Sequence, residues 1–331
     1  MRDSNQCWQK KLELGFSTAA ELLDFLELPF SLANGLAEKQ FKTRVPRGFA
    51  ERMKSRDPND PLLLQVLAQN AELISAEGYV KDPLAEENAV ALPGLMQKYH
   101  GRVLLTLTGA CAINCRYCFR RHFPYSENNP GRAGWQKQID YIANDPLIHE
   151  VILSGGDPLL VKDNIFADLL DKLSQITHLR TLRIHTRIPV VLPERITTSF
   201  LKIITENRLR KVVVLHCNHP QEIDESVRKA CSELQKSGCH LLNQSVLLAG
   251  VNNDANILAE LSESLFAAKV LPYYLHLLDK VDGAHHFDVP INEAKLIFKK
   301  LQAILPGYLV PRLAKEEAHG TNKVIIGSVD N

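Results

Sequence analysis

From about residue 101 onward, the chain alternates short apolar runs with longer amphipathic stretches. The apolar runs are rich in Val, Ile and Leu, and they are too short for helices and too apolar for surface loops, which predicts buried strands. The stretches between them repeat apolar residues at helical spacing, for example at Ile165, Leu169 and Leu173. The predicted strands cover residues 103–108, 151–153, 182–186, 212–216, 241–246 and 271–278.

Six consecutive strand–helix units imply parallel strands with right-handed crossovers. An open doubly wound sheet and a (β/α) barrel both satisfy this pattern. No GxGxxG motif follows the first strand, which removes the usual argument for a dinucleotide-binding open sheet. Polar residues follow several strands instead, among them Ser154, Arg187, His216 and Asp279. We therefore predict an α/β protein built on a partial (β/α)6 barrel, with its site at the carboxyl ends of the strands.

The first hundred residues have a different, helical pattern. Apolar stripes at 22–28 and 62–73 flank a turn-rich segment at 44–49. We predict an N-terminal helical subdomain over 1–100, the barrel over 101–305 and a C-terminal segment over 306–331. Three helices of the barrel are expected to begin at N-cap residues, which are Asp163, Asn253 and Asn292.

The charge balance narrows the class of partner. The 331 residues contain 39 Lys and Arg against 38 Asp and Glu, a net charge of +1, so no basic field exists for non-specific nucleic-acid binding. No apolar run approaches the roughly 18 residues that span a bilayer, and the first residues lack the apolar stretch of a signal peptide. We expect a cytoplasmic protein with a small-molecule substrate and neither a nucleic-acid nor a membrane partner.

Three of the seven cysteines are clustered. Cys111, Cys115 and Cys118 form a C-x3-C-x2-C pattern directly after the first predicted strand. Thiolates suit iron–sulfur clusters or zinc, and without a fourth nearby cysteine a [4Fe-4S] cluster would keep one iron open for another ligand. The alternatives are a zinc site completed by His122, or three ordinary core cysteines. The spacing, the position after a strand and the aromatic Tyr117 favour the cluster.

Segment 111–118 resembles the motif of the radical S-adenosylmethionine (SAM) enzymes, and segment 154–158 resembles the glycine-rich segment after their second strand. The resemblance implies a barrel of the radical SAM kind in which the three cysteines hold a [4Fe-4S] cluster. It also implies that SAM binds the open iron and is cleaved to a 5'-deoxyadenosyl radical. The further residues expected at these cofactors are Tyr117, Gly155, Gly156 and Asp157.

Four further segments resemble the lysine 2,3-aminomutase family, namely 98–102, 118–123, 215–220 and 272–279. The likeness runs from about residue 40 to the C-terminus. In that family pyridoxal 5'-phosphate (PLP) binds the substrate amine, the radical removes a β-hydrogen, and the amino group moves from C2 to C3. The resemblance therefore implies an isomerase that uses PLP and acts on L-lysine.

Individual roles follow from the same resemblance. Arg120 would pair with the substrate α-carboxylate, a task that suits a planar bidentate guanidinium. Asp279 would hold the substrate ε-ammonium group. His216 and Gln244 would contact SAM or neighbouring ligands, and Arg102 would lie at PLP.

The resemblance places the PLP-binding, catalytic lysine near the C-terminus. Lys323 is the best match, with Lys280 and Lys315 as competitors. A lysine of this kind needs a lowered pKa, and the apolar run 324–326 would supply a suitable wall. The family has an aspartate seven positions before this lysine, whereas this chain has Glu316, which we expect to be a second substrate-binding carboxylate.

Glu316 and segment 310–316 resemble a bacterial branch of the family that makes β-lysine for the modification of elongation factor P. This likeness implies an (R)-β-lysine product and a functional link to elongation factor P and its β-lysine ligase. Three other interpretations stay open at this point. They are an aminomutase for another amino acid such as glutamate, a radical SAM enzyme without PLP, and a zinc-binding module.

Overall fold

The computed structural model describes residues 5–125, 128, 131–320 and 322–327. Its N-terminal part is a series of short helices, which often begin at side-chain caps. For example, the Asp60 carboxylate accepts the backbone N–H groups of Leu62 and Leu63, directly after which the chain turns helical. The helices are α1 (Asn5–Glu13), α2 (Ala19–Phe25), α3 (Gly35–Gln40), α4 (Arg47–Ala50) and α5 (Pro61–Leu64).

Ten strands follow one another in chain order within a single sheet. They are β1 (Val90–Leu92), β2 (Leu95–Tyr99), β3 (Arg102–Thr108), β4 (Glu150–Gly155), β5 (Thr181–Thr186), β6 (Arg210–His216), β7 (Cys239–Val246), β8 (Leu271–His276), β9 (Arg312–Lys315) and β10 (Val324–Ile325). Strands β3 to β9 are parallel, whereas β1, β2 and β10 pair antiparallel at the two edges. The six predicted strands correspond to β3–β8, and the predicted α/β class with a partial barrel is confirmed.

The crossover helices lie between the parallel strands and bury one apolar face each. In α10, Val227, Cys231 and Leu234 form that face, while the charged residues point outward. The six predicted helices are present, and a short extra helix, α8, follows β5. The bounds are α6 (Gly131–Asn144), α7 (Asp163–Ser174), α8 (Ile188–Val191), α9 (Thr198–Glu206), α10 (Glu225–Lys236), α11 (Ala255–Ala267) and α12 (Ile291–Ile304).

The three predicted N-caps are wrong by one or two residues. Asp163 is the first helical residue of α7, and its carboxylate pairs with Arg195 at 2.8 Å. Asp254 caps α11, whereas Asn253 accepts a backbone N–H from the preceding turn. Asn292 lies inside α12. Of these three helices, α11 alone begins at a side-chain cap, whereas α7 and α12 follow Lys162 and Pro290, which accept no capping hydrogen bond.

The two ends of the sheet meet through side chains. Lys98 Nζ and Tyr99 OH, at the end of β2, donate to the carboxylate of Glu316, directly after β9, at 2.9 and 2.7 Å. We call Lys98, Tyr99 and Glu316 the seam. Among the described residues, β1 and β10 are not paired with each other, so side chains rather than backbone hydrogen bonds join this side of the barrel.

The N-terminal helices cover the sheet and anchor the cysteine loop. Leu22 and Leu63 of the cover share one hydrophobic core with Leu153 and Ile184 of the strands. Arg116, within the cysteine loop, is fully buried in this cover and donates to Glu72 at 2.9 and 2.5 Å. A buried charge pair needs such complete hydrogen bonding, so its geometry fixes where the loop lies.

The sequence pattern did not predict the edge strands. β1 and β2 lie within the region assigned to helices, and β9 and β10 lie in the C-terminal segment. The division into three domains stays a prediction. No helix in the described part of the chain has the length and apolar character needed to cross a membrane.

Candidate active site

A cavity of about 480 Å³ opens at the carboxyl ends of the parallel strands. All fourteen residues predicted for the site line it. They are Arg102, Cys111, Cys115, Tyr117, Cys118, Arg120, Gly155, Gly156, Asp157, His216, Gln244, Asp279, Glu316 and Lys323. The fold therefore brings together residues that lie more than 200 positions apart in the chain.

The three cysteine thiols form one end of the cavity. Burial raises the pKa of Cys111 well above its ordinary value, and the neighbouring thiols add to this shift. The pKa of Cys118 rises to about 11 for the same two reasons. Among the described residues, no three Cys, His, Asp or Glu side chains are arranged around a single metal ion. The thiols are thus close enough for their charges to interact.

Two glycines let the loop after β4 approach the cysteine loop. A Cβ atom on Gly156 would overlap the carbonyl oxygen of Ala110, immediately before the first cysteine. Gly155 has φ = +111°, a conformation that residues with a side chain rarely adopt, and its Cβ would lie 2.7 Å from Thr106. Gly156 therefore permits the close approach to the cysteine loop, and Gly155 permits the turn at the end of β4 against β3.

Asp157 lines the cavity, but its carboxylate already has protein partners. It accepts hydrogen bonds from Thr186 Oγ1 at 2.7 and 2.9 Å, from the Arg187 N–H at 2.8 Å and from the Leu159 N–H at 3.1 Å. Burial raises the pKa of this carboxyl group although these hydrogen bonds oppose the shift. Asp157 thus joins the loop after β4 to the end of β5, and its predicted contact with a cofactor stays a prediction.

Arg187 organises the polar groups beneath the cysteines. Its Nη1 lies 2.7 Å from the Cys115 sulfur, and its Nη2 donates to Gln65 at 2.7 Å and to Glu222 at 2.9 Å. Tyr117 joins the same network, because Asn218 donates to its hydroxyl group at 2.7 Å. The sequence interpretation noted Arg187 only as a polar residue after a strand and assigned it no role.

His216 and Gln244 occupy adjacent strands in register and touch each other. Gln244 Nε2 lies 3.0 Å from His216 Nε2. Burial lowers the pKa of His216 to about 3, and the cations of Arg187 and Arg120 act in the same direction. The imidazole is therefore neutral and presents polar atoms to the middle of the cavity. His185, which no sequence argument singled out, also lines the cavity there.

The opposite end of the cavity carries Lys323 and two carboxylates. Lys323 Nζ lies 2.5 Å from Glu316, which also accepts the two seam hydrogen bonds. Burial tends to raise the pKa of Glu316, but the Lys323 ammonium and these hydrogen bonds outweigh it and lower the pKa to about 2. Burial raises the pKa of Asp279 to about 7, and the charges of Glu316 and Glu86 contribute to that rise.

Arg102 lies at the same end. Its guanidinium is 5.5 Å from the centre of the Tyr99 ring, and its Nε has no hydrogen-bond partner among the described residues although it is buried. The Lys323 ammonium lies 5.8 Å from the centre of the Tyr274 ring. An unpartnered buried guanidinium N–H and a lysine amine that line the same cavity fit an anionic ligand.

Arg120 lies between the two ends and is paired with Glu86, a residue that the sequence interpretation missed. Its Nε and Nη2 donate to the two carboxylate oxygens at 2.7 and 2.6 Å, and Nη1 donates to Ser154 Oγ at 3.0 Å. The guanidinium also lies 4.9 Å from the centre of the Phe119 ring. These contacts hold Arg120 in one orientation at the cavity wall.

Comparisons with known proteins match the chain to one family and to several named relatives. The family described as "4Fe-4S single cluster domain" matches residues 100–186. The chain is 50% identical to the L-lysine 2,3-aminomutase of Haemophilus influenzae over 325 residues, covering 97% of this chain and 95% of that one. It is 47% identical to the L-lysine 2,3-aminomutase of Escherichia coli K12 over 316 residues, covering 95% and 92%.

Among solved structures, "Native anSMEcpe with bound AdoMet and Cp18Cys peptide" aligns with a TM-score of 0.48 at 16% identity. That alignment covers 61% of this chain and 59% of the other. The match to the two relatives above is nearly full-length, and the cluster-domain match spans the three cysteines and both glycines of the cavity.

Proposed function

Because this chain belongs to the L-lysine 2,3-aminomutase family, whose members are radical SAM isomerases, we propose that it converts L-α-lysine to (R)-β-lysine with the help of PLP. The observation that carries the proposal is that one cavity contains three cysteine thiols, a lysine amine, a fixed guanidinium and two carboxylates. Each of these groups matches one chemical need of the reaction.

The cysteine end fits an iron–sulfur cluster. Cys111, Cys115 and Cys118 would hold it, and when bound it supplies the electron that cleaves SAM. Burial raises the pKa of Cys111 and Cys118 and keeps these two thiols protonated, so binding of iron would release protons. Arg187, beside the Cys115 sulfur, contributes positive charge that stabilises a thiolate at that position.

The opposite end fits PLP. Lys323 would hold it, and Arg102 would meet its anionic groups with the buried N–H that otherwise lacks a partner. When bound, PLP supplies an aldehyde that takes up the substrate amine and a ring that spreads an unpaired electron. Glu316 fixes the Lys323 amine in the cavity until that amine is used.

The substrate would lie between the two ends. Arg120 would bind the α-carboxylate, and Asp279 would bind the ε-ammonium group. An ionised Asp279 next to Glu316 makes an acidic pocket, which attracts a cation and repels the side-chain carboxylate of glutamate. These two contacts would fix both ends of the substrate. The carbon chain between them would then present one C–H bond to the cysteine end of the cavity.

We further propose that the β-lysine serves the modification of elongation factor P, with a separate ligase as the next enzyme. The support is the likeness of segment 310–316 to that branch, together with a glutamate at position 316. The longer side chain of Glu316 reaches the seam donors and Lys323 at the same time.

The decisive experiment is anaerobic turnover. The protein is reconstituted with iron and sulfide, supplied with SAM, PLP, a reductant and L-lysine, and its product is identified by chiral chromatography. We expect (R)-β-lysine and 5'-deoxyadenosine. Cleavage of SAM without formation of any β-amino acid would contradict the aminomutase proposal. If glutamate yields β-glutamate while lysine yields no β-lysine, the substrate is glutamate and not lysine. Zinc without iron in anaerobically purified protein would contradict the whole scheme.

A further inference from the structure

The contact between Glu86 and Arg120 is the strongest feature of the cavity that the proposed reaction does not yet use. The two side chains form a bidentate pair at 2.7 and 2.6 Å, and they are only 12% and 8% exposed. A pair shielded in this way is stronger than one at the surface, because water and salt screen it less. Glu86 therefore holds the guanidinium firmly.

The pattern of donors shows which part of Arg120 remains available. A guanidinium has five N–H groups. Glu86 takes one on Nε and one on Nη2, and Ser154 takes one on Nη1. Two N–H groups are left, one on each terminal nitrogen, which is the number that a second bidentate carboxylate requires. Glu86 and a substrate carboxylate thus need not compete for the same donors.

The turn before Glu86 holds its backbone in a defined position. Ala85 has φ = +51°, in the left-handed region that residues with a side chain seldom adopt. The carboxylate of Asp82 accepts the backbone N–H groups of Glu86 and Glu87 at 3.0 and 3.2 Å, which stabilises the turn. Strained conformations persist where surrounding contacts enforce them, and they are frequent at functional sites.

We propose that Glu86 is a positioning residue, which binds one side of the Arg120 guanidinium so that its two remaining N–H groups meet the substrate α-carboxylate in one orientation. The inference rests on the proposed function, in which Arg120 binds that carboxylate. The carboxylate is bonded to the Cα atom, so its orientation, together with that of the amine held at PLP, sets the direction of the Cα–Cβ bond. Glu86 thereby acts on the position of the carbon that loses hydrogen.

The test uses the reconstituted holoenzyme with Glu86→Ala, Glu86→Gln and the control Glu87→Gln at the exposed neighbour. The measurements are KM for L-lysine, kcat, and the ratio of 5'-deoxyadenosine to β-lysine. We expect Glu86→Ala to raise KM about tenfold or more and to raise the ratio, because with a misplaced substrate 5'-deoxyadenosine would form with hydrogen taken from other groups and without yielding β-lysine. Glu86→Gln keeps one acceptor oxygen and should fall between this variant and the wild type. Glu87→Gln should match the wild type.

An unchanged KM in Glu86→Ala would overturn the inference. A lowered KM would also overturn it, because it would mean that Glu86 occupies the place of the substrate carboxylate. If Glu86→Ala fails to fold, Glu86→Gln decides alone by the same two criteria. Arg120→Lys distinguishes the proposed function from this inference. An unchanged KM in Arg120→Lys would contradict the proposed role of Arg120. A raised KM in Arg120→Lys together with an unchanged KM in Glu86→Ala would contradict only the role of Glu86.

Discussion

Lys323 Nζ lies 2.5 Å from Glu316 Oε2, in an ion pair whose side chains are 25% and 16% exposed. The same carboxylate receives the Lys98 ammonium and the Tyr99 hydroxyl group. Glu316 thus accepts from three donors at once, and it would keep the Lys323 amine at the cavity wall where that amine would hold PLP.

Replacement of Lys323 should abolish the covalent attachment of PLP. Borohydride treatment of the PLP-loaded wild type, followed by peptide mapping, should place a pyridoxyl group on Lys323. Lys323→Ala should carry none, because this variant lacks the amine that we assign to PLP. Lys315→Ala is the matched control, since its amine pairs with Glu317 at the surface, and it should be labelled normally. A label on Lys315 or Lys280 in the wild type would reassign the PLP lysine.

Asp279 should make lysine binding depend on pH near neutrality. Its pKa is about 7 in the ligand-free protein, because burial and two nearby carboxylates disfavour its ionised form. Only the ionised form pairs with an ammonium group, so KM for L-lysine should rise as the pH falls from 8 to 6. Asp279→Asn should weaken binding by about 1.5–3 kcal/mol at pH 8 and remove the pH dependence. The exposed Glu263→Gln on α11 is the control.

Asp279→Asn should also stabilise the ligand-free protein. The folded-state pKa of Asp279 is raised above its ordinary value of 3.8, so folding favours the protonated form. The protonated form of Asp279 therefore contributes to the stability of the folded protein. This contribution is fully present below about pH 3.8 and is lost as the pH rises through about 7. Asp279→Asn should accordingly raise the thermal unfolding midpoint at pH 8. An unchanged or lowered midpoint at pH 8 would show that Asp279 does not oppose folding there.

Loss of one thiol from the loop should prevent cluster assembly. Cys115→Ala should lose most of its iron and sulfide after anaerobic reconstitution and should not cleave SAM, because two thiolates hold a cluster poorly. Cys231→Ala is the matched control, since Cys231 is buried on α10 away from the cavity, and it should retain the metal. Full iron content in Cys115→Ala would mean that the ligands were assigned wrongly.

Arg116→Met should destabilise the fold and loosen the cysteine loop. The guanidinium is fully buried against Glu72, and removal of one partner from such a pair costs about 3–5 kcal/mol. Because Arg121 still donates to Glu72 at 2.8 Å, we expect the lower end of that range. Urea unfolding measures the effect. Arg56→Met, which breaks an exposed pair with Glu27, should cost less than about 1 kcal/mol.

The sequence was informative where burial constrains composition. A parallel strand covered on both faces needs a run such as Val212 to Val214, so β3–β8 could be predicted. β1 and β10 are short and half-exposed, and no comparable run marks them. Helix starts were less accurate, because Asp163 prefers a buried arginine to a backbone N–H.

The same distinction applies to the site. The three cysteines are close in sequence, and the resemblance supplied Arg120, Asp279, Glu316 and Lys323, all of which line one cavity. Glu86, Arg187 and Glu222 were missed because the ion pairs that they form join residues 34 or more positions apart in the chain. Only the folded backbone brings these charges within hydrogen-bond distance. No sequence motif around Glu86 indicates that its carboxylate binds Arg120.

The seam has a mechanical consequence for access to the cavity. Elsewhere the wall is a ladder of backbone hydrogen bonds, and parting two strands would break several of them together. At Lys98, Tyr99 and Glu316 the wall consists of side-chain tips that rotate about single bonds. Parting the wall along this line would break side-chain hydrogen bonds and leave the pairing of the strands intact. Charged and polar side chains hold the barrel closed at the seam, and the strength of this contact depends on the protonation and pairing of the Glu316 carboxylate.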